Sequence, residues 1–227
     1  MLRQVSRAAA PTSQALPNPT RLGYVQYGCG WCAPKEWTNF DASLTLKWER
    51  LPILGRYTKN SQRFPGNVAP GDIVKGLPIP DESCQGAYAS HVLEHLALKD
   101  FHKALQNTYR ILRKGGIFRL VVPDLECSAR EYIAGLDRGE PNANTIFLRA
   151  THLGCESRDP GFMGLARKLF ALPHLWMWDE SSMIQALNDH GFRQIRRCHF
   201  GDCEDAMFSL VEDSGRFEKA LGMEARR

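Results

Sequence analysis

Short apolar runs near Leu22–Tyr27, Thr38–Asp41, Gly86–Ser90 and Ile117–Val122 alternate with segments of helical periodicity. That alternation is the pattern of a parallel sheet covered by helices, because parallel strands need long crossovers and bury both faces. The clearest helix is predicted from Lys99 to Arg113, with Phe101, Leu105, Thr108 and Leu112 on one face and Gly115 as its stop. A second begins at Asp179, turns Ile184 and Leu187 inward and ends at Gly191. The last strands are predicted at Phe192–Phe200 and Ala206–Val211. From Leu125 to Trp178 the periodicity loosens and glycines and prolines accumulate, as in insertions that wall a binding site.

In an open sheet of this kind, ligands sit beyond the carboxyl ends of the strands, near the point where strand order reverses. Gly28-Cys29-Gly30 ends the run Tyr24-Val25-Gln26-Tyr27, and two glycines one residue apart let the backbone turn sharply and approach a ligand. Asp41, in Asn39-Phe40-Asp41, ends the next strand, where a carboxylate accepts hydrogen bonds from ribose hydroxyls. Asp72 and Ser90 also fall at predicted strand ends, so all of these residues face one crevice.

The chain continues with Gly71-Asp72-Ile73-Val74, Leu77-Pro78-Ile79-Pro80-Asp81-Glu82-Ser83, and Gly86-Ala87-Tyr88-Ala89-Ser90 running into His91-Val92-Leu93-Glu94-His95-Leu96. Tyr109-Arg110-Ile111-Leu112-Arg113-Lys114-Gly115-Gly116 and Ile117-Phe118-Arg119-Leu120-Val121-Val122-Pro123-Asp124 follow. This ordered set resembles the class I S-adenosylmethionine-dependent methyltransferases, in particular the small type 11 methyltransferase-domain proteins, over residues 22 to 126 and more loosely over 174 to 224. The resemblance implies an α/β fold: a Rossmann-like, mostly parallel seven-stranded sheet with helices on both faces and an antiparallel C-terminal edge hairpin. It implies S-adenosylmethionine as cofactor, held by Tyr27, Gly28, Cys29, Gly30, Asp41, Asp72, Ile73, Ser90 and His91. In that scheme Asp41 is the ribose acid, Asp72 accepts from the adenine amino group, and Ser90 and His91 flank the methionine portion. One departure is the short crossover: Trp31-Cys32-Ala33-Pro34 interrupts any helix after the glycines, and Asp41 comes eleven residues after Gly30.

Methyl transfer from a sulfonium is an in-line displacement, so the protein aligns an acceptor and, for a hydroxyl, removes its proton. Asp124, His152 and His174 are the candidate catalytic bases. Leu175-Trp176-Met177-Trp178 suits either an acceptor wall or core packing. Relatives of this branch imply a small-molecule or glycan hydroxyl as acceptor.

Three other readings compete for the same residues. Gly28-Cys29-Gly30-Trp31-Cys32-Ala33 satisfies the dinucleotide fingerprint G-x-G-x-x-[GA], but Pro34 and the early Asp41 fit an NAD-dependent oxidoreductase poorly. His91-Val92-Leu93-Glu94-His95 is a literal H-x-x-E-H, the arrangement of one class of zinc peptidase, which needs a further ligand from another helix. Some relatives with Glu-x-x-Glu-His at this point bind magnesium, whereas His91 replaces the first glutamate here. The expectation is that no metal is held and that Glu94 and His95 pack the helix. A binding protein without catalysis is the remaining alternative.

Bulk properties add limits. With 227 residues, 43% hydrophobic and 24% charged, the chain fits one globular domain, expected at 21–227 behind a flexible tail at 1–20, with the insertion at about 125–178. The tail, with Arg3, Arg7 and no acid, is compatible with a transit peptide. No run of ~20 apolar residues is present to span a bilayer. The net charge of +4 is too small to argue for nucleic acid, and Arg193, Arg196 and Arg197 read as solvated charges on a late strand. Seven irregularly spaced cysteines read as reduced thiols in a cytoplasmic protein, and the lone CxxC at Cys29 and Cys32 as turn and packing residues.

Overall fold

The computed structural model describes residues 23–51, 63–154 and 173–227; the expected tail and part of the expected insertion lie outside them. Seven strands form one sheet: β1 (Tyr24–Tyr27), β2 (Thr38–Asp41), β3 (Val68–Pro70), β4 (Cys84–Ser90), β5 (Leu112–Pro123), β6 (Arg193–Cys198) and β7 (Ala220–Arg226), in the order β3-β2-β1-β4-β5-β7-β6. The strands from β3 across to β5 are parallel, and β7 runs antiparallel to both β5 and β6. The order reverses between β1 and β4, so their carboxyl ends open the crevice in which such sheets bind ligands.

The α-helices are α1 (Leu44–Glu49), α2 (Leu98–Ile111), α3 (Leu125–Asp137), α4 (Ala143–Ala150) and α5 (Glu180–Asp189) among the described residues. Helix α2 buries Phe101, Ala104, Leu105, Thr108 and Ile111 against one sheet face, together with Met183 and Leu187 of α5. It ends at Ile111, short of the expected Gly115 stop, because Leu112 is already extended and pairs with Cys84 as the first residue of β5. Helix α5 starts as its sequence predicts: the Asp179 carboxylate accepts from the Ser182 N–H (2.8 Å), closing a capping box.

The predicted strand at Ala206–Val211 is instead a 3-10 helix, Ala206–Leu210, capped by Asp205. Its buried Phe208 and the following Val211 stand three residues apart and pack on Trp37 and Tyr88 across the other sheet face. The true last strand is β7, where Leu221, Met223 and Ala225 pack into the core that lies under α2.

Glu224 of β7 pairs across the sheet with Arg119 of β5, which is wholly buried. The guanidinium donates to Glu224 (2.6 Å), Glu212 (2.7 Å), Asp202 (3.0 Å) and the His199 carbonyl (3.0 Å). Arg196 pairs with Asp202 and Glu224, and Arg197 with Asp124 and Glu180, so two of the three late-strand arginines are structural ties rather than solvated charges.

Candidate cofactor crevice

After β1 the chain turns with Gly28 at φ +65 and Gly30 at φ +54, conformations that favour glycine. The two glycines serve different ends. A Cβ on Gly28 would lie 2.2 Å from Cγ2 of Val92, so the turn packs directly against the segment that follows β4. A Cβ on Gly30 would meet nothing within 4 Å. The backbone there borders open space at the mouth of the crevice.

Asp41 holds this turn in place. Its carboxylate, 7% exposed at the end of β2, accepts from the N–H of Gly30 (3.0 Å, Oδ2) and of Ser43 (2.8 Å, Oδ1). Each oxygen keeps a second lone pair, the acceptors that two ribose hydroxyls require. At the end of β4, Ser90 is 7% exposed and its Oγ is buried without a partner. An open cradle at Gly30, free lone pairs on Asp41 and an orphaned Ser90 hydroxyl fit a nucleoside-bearing cofactor with a polar tail.

The other expected cofactor residues divide. The side chains of Tyr27 and Ile73 lie in the core, Tyr27 with its hydroxyl 3.0 Å from Thr108 Oγ1, and Cys29 packs with Leu46, Phe64 and Val68. Their backbones alone are left to face a ligand. Asp72 closes a turn, accepting from the Val74 N–H (3.0 Å) and pairing with Lys75 (3.4 Å). His91 sits at φ +53, with Nε2 2.9 Å from the Arg216 carbonyl and Nδ1 3.4 Å from Glu94 Oε1. Burial opposes its charge, but the Glu94 carboxylate and that carbonyl outweigh it and raise the imidazole above its ordinary value.

Of the candidate bases, Asp124 is a structural residue. It caps α3, accepting from the Cys127 N–H (3.1 Å), and is ion-paired to Arg197 (2.8 Å) at 3% exposure. His152 and His174 come together, their rings 4.8 Å apart, and the ring of His95 lies 5.1 Å from that of His174. Burial first, then His95 and His152, hold His174 below the ordinary histidine range. Sequence reasoning missed this convergence and the complete burial of Glu94. The run before α5 splits: Trp178 stacks on Phe101 in the core (4.1 Å), while Leu175 and Trp176 are exposed.

The dinucleotide and peptidase readings lose their structural basis. No helix follows the glycine turn, so no helix N-terminus is offered to a pyrophosphate. The H-x-x-E-H segment holds only the short 3-10 turn Leu93–His95, with His91 outside it, so the histidines do not share a helix face as the peptidase requires. Burial pushes the Cys29 thiol up to about 12 and raises that of Cys32, which leaves the CxxC without a reactive thiolate. Among the described residues no helix is long and apolar enough to cross a membrane.

The sheet order and the glycine turn ending β1 define a class I α/β protein shaped for a nucleoside-bearing cofactor. Residues 28–120 match the type 11 family model, a methyltransferase domain. Over that stretch the chain is similar to the class I S-adenosylmethionine-dependent methyltransferases, whose cofactor is S-adenosylmethionine. Similar solved structures include a SAM-dependent methyltransferase from Archaeoglobus fulgidus (14% identity, 90% of this chain and 85% of that one, TM-score 0.46). A possible histamine N-methyltransferase from Thermotoga maritima (16%, 90% and 81%, TM-score 0.48) and an S-adenosylmethionine-dependent methyltransferase from Mesorhizobium loti (16%, 93% and 94%, TM-score 0.45) are also similar. Likenesses of this size leave the assignment resting on the sheet order and on residues 28–120. No curated protein matches.

Proposed function

We propose that this methyltransferase is a cytoplasmic enzyme that methylates a hydroxyl of a sugar or small metabolite. The observation that carries the cofactor half of the reading is Asp41, buried at the end of β2 and tied to the glycine turn with one lone pair of each oxygen left over. In this reading Asp41 takes the ribose hydroxyls, Asp72 the adenine amino group, and Ser90 with His91 flanks the amino-acid portion. The bound cofactor supplies an electrophilic methyl group on a sulfonium. The glycine turn and Asp41 fix the donor's position, so the protein's remaining task is to bring an acceptor oxygen into line and take its proton. His152, exposed beside His174, is the base we assign, since Asp124 is spent on its cap and ion pair. The exposed Leu175 and Trp176 offer a sugar ring an apolar wall.

Incubating the protein with methyl-labelled S-adenosylmethionine and separate pools of monosaccharides, oligosaccharides and metabolites tests this reading. Label is expected in a base-stable ether of a hydroxylated acceptor, with turnover falling about 100-fold or more in His152→Ala. Label found only on nitrogen or carbon acceptors would contradict hydroxyl methylation.

A further inference from the structure

We propose that Glu94, His95 and His174 form a binding site for a divalent metal ion of the zinc class, which reverses the expectation that this chain holds none. One ligand atom from each lies within 4.8 Å of the other two. An ion about 2.1 Å from nitrogen and oxygen ligands holds them ~3.4 Å apart, so closure asks for shifts of about an ångström.

Glu94 is the reason to look here. Its side chain is 1% exposed and neither carboxylate oxygen has a hydrogen-bond partner. A buried carboxylate left in that state is strongly disfavoured unless something positive reaches it. His91 Nδ1 at 3.4 Å, the imidazole that Glu94 raises, and His95 Nε2 at 3.9 Å both approach Oε1, so Oε2 is left with no cation or donor.

Both ligating histidines have a nitrogen free to ligate, and His95 is already set up from behind. His95 Nδ1 lies 3.1 Å from the Pro173 carbonyl; donating its proton there fixes the tautomer whose Nε2 lone pair faces Glu94. His174 has its Nδ1 buried with no partner, and its ring lies 5.1 Å from that of His95. An imidazole anchored to a carbonyl at one nitrogen and open at the other is how proteins orient metal-binding histidines. The loop that carries His174 is clamped in place, because the N–H groups of Leu175 (2.7 Å) and Trp176 (3.2 Å) both donate to the Glu94 carbonyl.

Two histidines and one carboxylate leave a position open, the composition of a catalytic rather than a structural zinc site. The turn holding Glu94 and His95 follows directly on Ser90 and His91, so an ion here stands beside the end of β4 where the proposed acceptor would enter. Use of the ion to polarise an acceptor hydroxyl rests on the proposed function; its binding does not.

The test is metal binding by the full-length protein, stripped with chelator and reloaded with Zn²⁺ or Co²⁺. One equivalent is expected to survive dialysis, with the ligand-field bands of four- or five-coordinate Co²⁺. Glu94→Gln, which keeps the side-chain shape, and His174→Ala are each expected to lower affinity by about 100-fold or more. Failure of the wild type to retain an ion, or undiminished affinity in both variants, would overturn the site. Loss in His91→Ala with retention in His174→Ala would also overturn it, by moving the ligand set onto the H-x-x-E-H segment alone. Binding of S-adenosylhomocysteine to the stripped wild type, measured in parallel, separates failure of this site from failure of the cofactor reading.

Discussion

Arg119→Ala is expected to lower the unfolding free energy by about 3–5 kcal/mol, because it leaves the buried Glu212 without its cation and Glu224 and Asp202 with Arg196 alone. Glu212 and Glu224 are 1% and 7% exposed on their side chains; without the guanidinium Glu212 loses its cation and Glu224 keeps only Arg196. The damage should extend beyond β5, since the same guanidinium ties down the His199 carbonyl and Asp202 and so the loop between β6 and the Ala206–Leu210 turn. Urea denaturation measures the loss directly. Arg119→Met combined with Glu212→Gln and Glu224→Gln should recover much of it, because apolar or neutral replacement of a whole buried cluster is often tolerated where removal of one partner is not. A loss below about 1 kcal/mol for Arg119→Ala would mean that water serves this cluster. The cluster also sets an acid limit. Burial alone would raise the Asp202 carboxyl from 3.8, but hydrogen bonds from Arg196, the His199 N–H and Arg119 bring it down to about 2. Its stabilising contribution is therefore complete above pH 3.8 and disappears as the pH falls through 2.

The second large effect separates the two glycines of the turn. Gly28→Val places a branched side chain on Val92 at a left-handed backbone position, and should lose cofactor binding together with about 2–4 kcal/mol of stability. Gly30→Val meets no neighbour, so its cost to the fold should stay within the ~1–2 kcal/mol of left-handed strain, while its side chain fills the space a ligand must enter. Thermal unfolding and a binding isotherm on each variant give the comparison. Equal stability losses, or normal cofactor binding by Gly30→Val, would contradict the division of labour.

The parts legible in the sequence are those written in local chemistry. Glycines at Gly28 and Gly30 announce a turn because only backbone conformation is at stake, and the capping aspartate Asp179 announces a helix start for the same reason. The apolar runs of β1, β2, β4 and β5 announce a parallel sheet, because parallel strands bury both faces. What the sequence concealed depends on residues far apart along the chain. Arg119 in the middle of an apolar strand is a conspicuous signal of buried charge, yet its partners Asp202, Glu212 and Glu224 lie 83 to 105 positions away. The meeting of Glu94 with His174 depends on a loop hydrogen-bonding back to the Glu94 carbonyl, 81 and 82 positions upstream of Leu175 and Trp176. Ala206–Val211 misled because apolar spacing over six residues suits a strand or a 3-10 turn equally, and Asp205, which caps the turn, decides between them. The alternation Leu221, Met223, Ala225 was present but carried Glu224, whose burial makes sense only opposite Arg119.

The central claim is that the Gly28–Gly30 turn and Asp41 hold the nucleoside of S-adenosylmethionine. Calorimetric titration of the full-length chain with S-adenosylhomocysteine, on the wild type and on Asp41→Ala, tests it most directly, with thermal unfolding run alongside because Asp41 also anchors the Gly30 and Ser43 N–H groups. The wild type should bind in the micromolar range, about −8 kcal/mol. Asp41→Ala should lose about 1–3 kcal/mol of that while remaining folded at the temperature of the titration. No binding by the wild type at millimolar ligand, or equal affinity in the two folded proteins, would contradict the claim.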